Sequence, residues 1–308
     1  MYWLRATTRH TPLRREIEMI RRSQIESVVF LVLLGSIPVR AQTDRAHELA
    51  SQAPSQAAVN CGDVAAVADC HPAMPTGCTN SAHPRYDAYL NFLKNQQPER
   101  SLAPTRSLDI SDFISLEDKV PADIGRAHHS QFANQLADLG EGNIHSVMGY
   151  LYFVENTAVT SRHRGETCNC QLRSNNSFDF HLGIGFDPTL ANEIRTNPPV
   201  HDPRSPGEAE QTSIVAEMTP HTRDAKWTVL RLNRQRGKQV KVVGQLMLDN
   251  THANPNDDCE FSNEAEGNCW RATVWEIHPV TQFFVCKAGT TCRADSPGSD
   301  WVRLEDLP

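Results

Sequence analysis

Residues 177–187 read Ser177-Phe-Asp-Phe-His-Leu-Gly-Ile-Gly-Phe-Asp187. Phe178, Phe180, Leu182, Ile184 and Phe186 alternate with Asp179, His181 and Asp187, the period of a β-strand with one face in a core and the other turned away from it. The pattern recurs in Ile214-Val-Ala-Glu-Met218, in Val240 to Asp249 and in Trp275-Glu-Ile-His278. Glu217, Asp249, Glu276 and His278 therefore join Asp179 and His181 on faces opposite the apolar residues. Together these strands predict a closed β-domain whose polar outer surface carries acids and imidazoles, and whose core includes Trp275.

The order of the elements narrows the fold class. Ile144 to Val154 predicts a first strand, 177–187 a second, 212–218 a third, 239–249 a fourth and 272–285 a fifth. Asp224 to Gln235 predicts a helix between the third and fourth, stopped at Gly237. Three strands, a helix and two strands is the order of the OB-fold, here expected as a mainly β, five-stranded antiparallel barrel over 142–286. Upstream, 61–141 reads as a Cys-containing, partly helical extension. Within it Tyr86, Tyr89, Leu90 and Leu93 share one helical face, and a second helix spans Ser130 to Leu139 before Gly140. Residues 42–60, rich in Ala, Gln and Ser, predict a flexible tether, and 287–308 a C-terminal tail. No internal repeat is visible.

The first 41 residues predict export. Val28-Val-Phe-Leu-Val-Leu-Leu-Gly35 follows Arg21 and Arg22 and precedes Val39-Arg-Ala41, the layout of a signal peptide cut after Ala41. Met19 offers a second start, and an uncleaved anchor is the competing reading. The apolar run is too short to span a bilayer, so no transmembrane segment is expected after cleavage and the mature chain is placed in a secreted or periplasmic setting. Cysteines at 61, 70, 78, 168, 170, 259, 269, 286 and 292 then predict disulfides. Cys259 with Cys269 and Cys286 with Cys292 suit local loops. Cys168 and Cys170 sit too close in extended chain to pair and should take different partners. An odd count leaves one over. His163-x4-Cys168-x-Cys170 matches no common structural-zinc spacing.

A formal charge of −7 excludes a protein built around non-specific polyanion binding, and no strong nucleic-acid charge signature is present. The local clusters Arg162-His163-Arg164 and Arg231, Arg234, Arg236 and Lys238 read as a solvated loop and the cationic end of a helix.

The motifs Asp179-Phe-His-Leu182, Val215-Ala-Glu-Met-Thr-Pro220, Val242-Val-Gly-Gln-Leu-Met-Leu-Asp249 and Trp275-Glu-Ile-His-Pro-Val280 resemble those of uncharacterised exported bacterial proteins with an OB-fold-like β-barrel domain. The resemblance covers roughly 142–286 and leaves the region before it unexplained. It implies a ligand of the oligonucleotide or oligosaccharide class, as the wider OB class binds, while no nuclease motif can be laid onto these residues.

In the OB strand order the second strand neighbours the third, and the third the fifth. That order brings Asp179, His181, Glu217, Glu276 and His278 onto one face as the candidate ligand-binding set, with Asp249 and His252 at the end of the fourth strand. Among them His181, Glu217, Glu276 and His278 form the candidate set for a divalent metal such as zinc or manganese, which at an open position activates water. The bland alternative is an ordinary polar sheet face hydrogen-bonded to the extension packed over it. Gly-x-Ser-x-Gly, Gly-x4-Gly-Lys-Ser/Thr and His-Glu-x2-His signatures are absent. Three classes stay open: an exported binding module for a small or polymeric ligand, a metal-dependent hydrolase of phosphodiester bonds, and a structural envelope protein.

Overall fold

Phe180, Leu182 and Ile184 are buried in the central cluster with Ile214, Ala216 and Met218, so period two holds through both strands. The computed structural model of the chain describes residues 40–80, 86–125, 127–156, 165–197, 207–260 and 269–308. In chain order the helices are α1 (Arg40–Ser51), α2 (Val67–Ala73), α3 (Ala88–Lys94), α4 (Ile110–Glu117), α5 (Ala133–Asp138), α6 (Pro188–Thr196), α7 (Glu208–Gln211) and α8 (Val229–Asn233). The strands are β1 (Ser107–Leu108), β2 (Ile144–Asn156), β3 (Phe180–Gly185), β4 (Ile214–Met218), β5 (Gln239–Leu248), β6 (Trp275–Cys286) and β7 (Trp301–Arg303).

Strands β2, β3, β4, β6 and β5 pair in that order, and β5 returns to β2 to close a barrel. The barrel is mixed, which corrects the antiparallel expectation. β4 and β6 run parallel, with Ala216 opposite Ile277, while the other four pairings are antiparallel. The reason is topological: five strands closed in a ring cannot all alternate in direction, so an odd-membered barrel needs a parallel pair. The helix between β4 and β5 is only Val229–Asn233; Trp227, expected inside it, is buried just before its Thr228 N-cap. Two more helices, α6 and α7, lie between β3 and β4.

Inside the barrel, Val147, Leu151, Val240, Val242, Leu246, Trp275, Ile277 and Phe283 join the β3 and β4 residues. Outside, the extension covers one wall. Ala46, Leu49 and Ala50 of α1, Tyr89, Leu90 and Leu93 of α3 and Ala133 and Ala137 of α5 bury Met247, which points outward from β5. The expected tether over 42–60 is therefore helical and packed through Ser51, because Ala46, Leu49 and Ala50 fall at i, i+3 and i+4 on one helical face. Helix α3 starts at Ala88 rather than Tyr86 because Asp87 accepts hydrogen bonds from the Tyr89 and Leu90 amides at 3.1 Å each. The expected tail also belongs to the fold: β7 pairs with β6, and Arg231 donates to the carbonyls of Leu304 and Leu307. That accounts for one member of the basic cluster; Arg236 is likewise spent on the Tyr152 carbonyl at 3.1 Å.

Gly183 and Gly185 are required by close approach. A Cβ at Gly183 would run into the Phe153 ring, and one at Gly185 into the Tyr152 ring. The register of β2 against β3 slips between Leu151 and Phe153, which turns both rings outward onto Ala191, Ile194 and Ala209.

Among the described residues four disulfides form: Cys61–Cys78, Cys70–Cys170, Cys259–Cys269 and Cys286–Cys292. The last two are the local staples expected from spacing. Cys168 and Cys170 do part ways, Cys170 to Cys70 and Cys168 to none. His163 and the Arg162 cluster lie outside the described residues. No helix among the described residues is long and apolar enough to cross a membrane.

Candidate metal centre

Cross-strand register assembles the polar face. His181 on β3 stands opposite Glu217 on β4, and the parallel pairing of Ala216 with Ile277 sets Glu217 beside Glu276 and His278 on β6. Because alternate residues share a face, the partners of these core residues all point outward together. His181 Nε2 lies 3.0 Å from Glu217 Oε1. His278 Nδ1 lies 2.8 Å from Glu217 Oε2 and 3.3 Å from Glu276 Oε1, while its Nε2 is 3.6 Å from Asp179 Oδ2. All five residues of the candidate ligand-binding set thus meet in one cluster.

The face is outside the barrel but not open to water. The His278 side chain is 0 % exposed, those of Asp179 and Glu217 are 1 % and that of His181 is 12 %. The polar outer surface is instead sealed by the extension, because α3 ends directly over it. Lys94, the last residue of α3, puts its Nζ 2.9 Å from Asp249 Oδ2, 3.7 Å from Glu217 Oε2 and 3.9 Å from Glu276 Oε1. Gln245 fixes this arrangement by donating to the carbonyls of Leu93 and His278, each at 3.1 Å. Arg271, itself buried, holds the other Glu276 oxygen at 3.1 Å.

A second wall comes from the loop before β3. Asn169 Nδ2 donates to Glu166 at 2.6 Å and to Asp179 at 3.1 Å, and the Asp179 amide donates to Glu166 at 3.2 Å. His71 of α2 lies against His221, their ring centroids 3.7 Å apart, and Thr219 Oγ1 holds His221 Nδ1 at 2.8 Å. Asp249 turns towards Lys94, and His252 pairs with Asp257 at 3.0 Å.

Electrostatics follows from burial of so many carboxylates. Burial opposes charge on His181 and His278, but the Glu217 carboxylate outweighs it and raises them to about 10 and about 9. Burial also disfavours charge on Glu217, yet His181 and Lys94 hold its carboxyl well below the usual range. Lys94 is likewise held protonated against burial by Asp249 and Glu217. Burial and the neighbouring Asp179 push Glu166 up to about 8 and drive the Cys168 thiol well above its ordinary value. His71 and His221 go the other way, down to about 4, first through burial and then through a neighbouring imidazole, each other's for His71 and His278 for His221.

Among the described residues three groups of donor atoms have the spacing to surround an ion, each with its ligand atoms within 4.8 Å of one another: Asp179, Glu217 and His278; Glu217, Asp249 and Glu276; and Glu166, Cys168 and Asp179. Of the expected metal set, Glu217 and His278 share the first group, with Asp179 in place of His181. Glu276 falls in the second, where the Lys94 ammonium already stands. His181 pairs with Glu217 from the rim. Neither His278 nitrogen has an aligned hydrogen-bond partner, and Glu217 Oε1 and Glu276 Oε1 lack one as well. Sequence reasoning missed Lys94, Glu166, Cys168, His71 and His221 as site residues, since Lys94 lies outside the apolar set that marks the face of its helix and the others come from segments where no period marks a face. Comparison with protein-family models, with curated proteins and with solved structures finds no match.

Proposed function

We propose that this chain is an exported, disulfide-stabilised OB-like module whose function is to bind a divalent transition-metal ion through Asp179, Glu217 and His278. The observation that carries the reading is the fully buried His278, both of whose ring nitrogens face carboxylates at 2.8 to 3.6 Å without an aligned hydrogen bond. Buried carboxylates need a cation at hand. Protons on the imidazoles serve in the ion's absence, and a metal replaces them at higher affinity when it takes two carboxylates and a neutral imidazole, a ligand mix suited to zinc or manganese. The barrel order β2-β3-β4-β6-β5 supports the OB-like assignment. The four disulfides support folding in an oxidising compartment. An ion also suits the access: the chain's own extension occupies the face where an oligonucleotide or oligosaccharide would lie.

Metal analysis of refolded, oxidised protein after incubation with zinc or manganese and exhaustive dialysis tests this reading. Stoichiometric metal in the wild type, depleted in His278→Ala and in Asp179→Asn with the circular dichroism spectrum kept, is the expected result. A wild type that emerges metal-free overturns it.

Hydrolysis is the second reading, and one observation favours it. His181 lies at the rim of the cluster with its Nε2 3.0 Å from Glu217, and a metal ion that takes up the Glu217 charge holding its proton releases the ring to act as a base on metal-bound water. Turnover of a bis-aryl phosphodiester by the metal-loaded protein, lost in His181→Ala with metal retained, tests it; no turnover by the loaded wild type rejects it.

A further inference from the structure

Asp179 belongs to two of the donor groups, and the second of them contains the chain's unpaired cysteine. Cys168 Sγ, a Glu166 carboxylate oxygen and an Asp179 carboxylate oxygen lie within 4.8 Å of one another. The other eight cysteines are all in disulfides, which leaves Cys168 as a buried free thiol. Its position is fixed: Asn95 of the extension donates to the Cys168 carbonyl at 3.2 Å, and the Cys70–Cys170 disulfide anchors the chain two residues on. Asn169 aligns Glu166 and Asp179 with one amide nitrogen, while its Oδ1 stays buried without a hydrogen-bond partner.

An independent observation comes from the covering helix. His71 is 7 % exposed, and neither of its ring nitrogens has an aligned hydrogen-bond partner. Its ring stands beside Asn169 and within the field of Asp179, so an unpartnered imidazole borders the same space. Asn95 and Asn169 approach the ring without aligned hydrogen-bond geometry, and a buried polar side chain in this state gains from a further partner.

We infer that Glu166, Cys168 and Asp179 hold a second metal ion beside His71, with the Asp179 carboxylate shared between the two ions, and that the Cys168 thiolate restricts this position to zinc-class metals. The inference rests on the metal-binding reading above. Thiolate is a soft ligand that favours zinc over magnesium, calcium or manganese, whereas carboxylates by themselves do not discriminate in that direction. On binding, the Sγ–H bond breaks, its proton leaves to solvent and the Sγ–metal bond forms; no oxidant or reductant takes part. Two ions bridged by one carboxylate is also a geometry in which each ion lowers the repulsion among the acids facing the other.

Cobalt(II) titration of the refolded, oxidised protein reads the inference directly. Since every other cysteine is in a disulfide, a thiolate-to-cobalt charge-transfer band can only come from Cys168. The expected result is a wild type that binds two ions and shows the band, Cys168→Ser and Cys168→Ala that each bind one ion without it, and His278→Ala that binds one ion with it. A wild type that binds a single ion without the band, lost in His278→Ala, overturns the second site and leaves the first standing. A wild type that binds no ion overturns both. Because the band is read in the wild type, the outcome does not depend on the variants folding.

Discussion

The ammonium of Lys94 lies 2.9 Å from the Asp249 carboxylate and within 4 Å of those of Glu217 and Glu276. A single cation from the extension thus sits among the three acids of one donor group, and one of them, Glu217, also belongs to the proposed metal site. Removing it leaves like charges buried and facing one another, which is far more costly than never having formed the pair. Lys94→Met is expected to lower unfolding free energy by about 3–5 kcal/mol in urea titration, and Lys94→Met with Asp249→Asn to recover part of the loss. Equal urea midpoints for wild type and Lys94→Met would show that the ammonium does not neutralise this face.

His129 makes a separate prediction about pH. Its Nε2 lies 3.0 Å from both Glu141 oxygens and its Nδ1 3.0 Å from Asn250 Oδ1, so both nitrogens face acceptors. Burial opposes the charge, but Glu141 overcomes it and raises the imidazole from 6.5 to about 9. The folded state holds this proton more tightly than the unfolded chain does. The contribution is therefore complete below about 6.5 and is lost as pH rises through about 9, on the order of 3 kcal/mol across the window. Urea midpoints of the wild type should fall over that range, and those of His129→Gln should fall less steeply, the remaining fall coming from His181 and His278, which lose their protons over the same window.

Adjacent residues of β3 should respond oppositely to substitution. Leu182 is fully buried in the barrel core, so Leu182→Asp strands a carboxylate there at a cost of several kcal/mol against a total stability of about 5–15 kcal/mol. No cooperative unfolding transition should be detected by circular dichroism. His181→Ala, at the partly exposed rim, should keep one. Equal damage from both would reverse the assignment of faces on this strand.

The Cys70–Cys170 bridge joins α2 to the loop before β3 across 100 residues of sequence. Closing a loop of that length in the unfolded chain is worth up to about 4.7 kcal/mol in the chain-entropy treatment. Paired Cys70→Ser and Cys170→Ser replacement should cost about 3–5 kcal/mol and render the 61–80 segment sensitive to limited proteolysis before the barrel is cut. A cleavage pattern that begins in the barrel would deny the extension its dependence on this bridge.

What the sequence discloses of the site is the side of each strand on which a residue falls. Phe180, Leu182 and Ile184 against His181, or Trp275 and Ile277 against Glu276 and His278, can be sorted from period two, and strand order then gathers the polar members. Nothing in that alternation tells what lies over the polar side. Lys94 at the end of a helix reads as an ordinary complement to the helix dipole, and His71 between Cys70 and Pro72 carries no period at all. Strand direction is equally silent in the pattern, which is why β4 and β6 were expected antiparallel although counting five strands around a ring forbids it throughout. Ala46, Leu49 and Ala50 were readable as a helical face, but Ala- and Gln-rich composition obscured them. The cysteine count announced one unpaired thiol; only the fold identifies Cys168.

The contact from Lys94 to Asp249 spans 155 positions, and Glu276 lies further on still. A chain that emerges from its N-terminus presents the cover long before the wall it closes upon. Until β6 has appeared, α3 has only Glu217 and Asp249 to meet, and Glu276 and His278 do not exist, so no nascent intermediate holds the complete cluster. Completion of this pocket is accordingly a terminal event in the life of the folding chain, and a product truncated before residue 275 carries most of the mass of the protein but lacks Glu276 and His278, which join its acids into one centre.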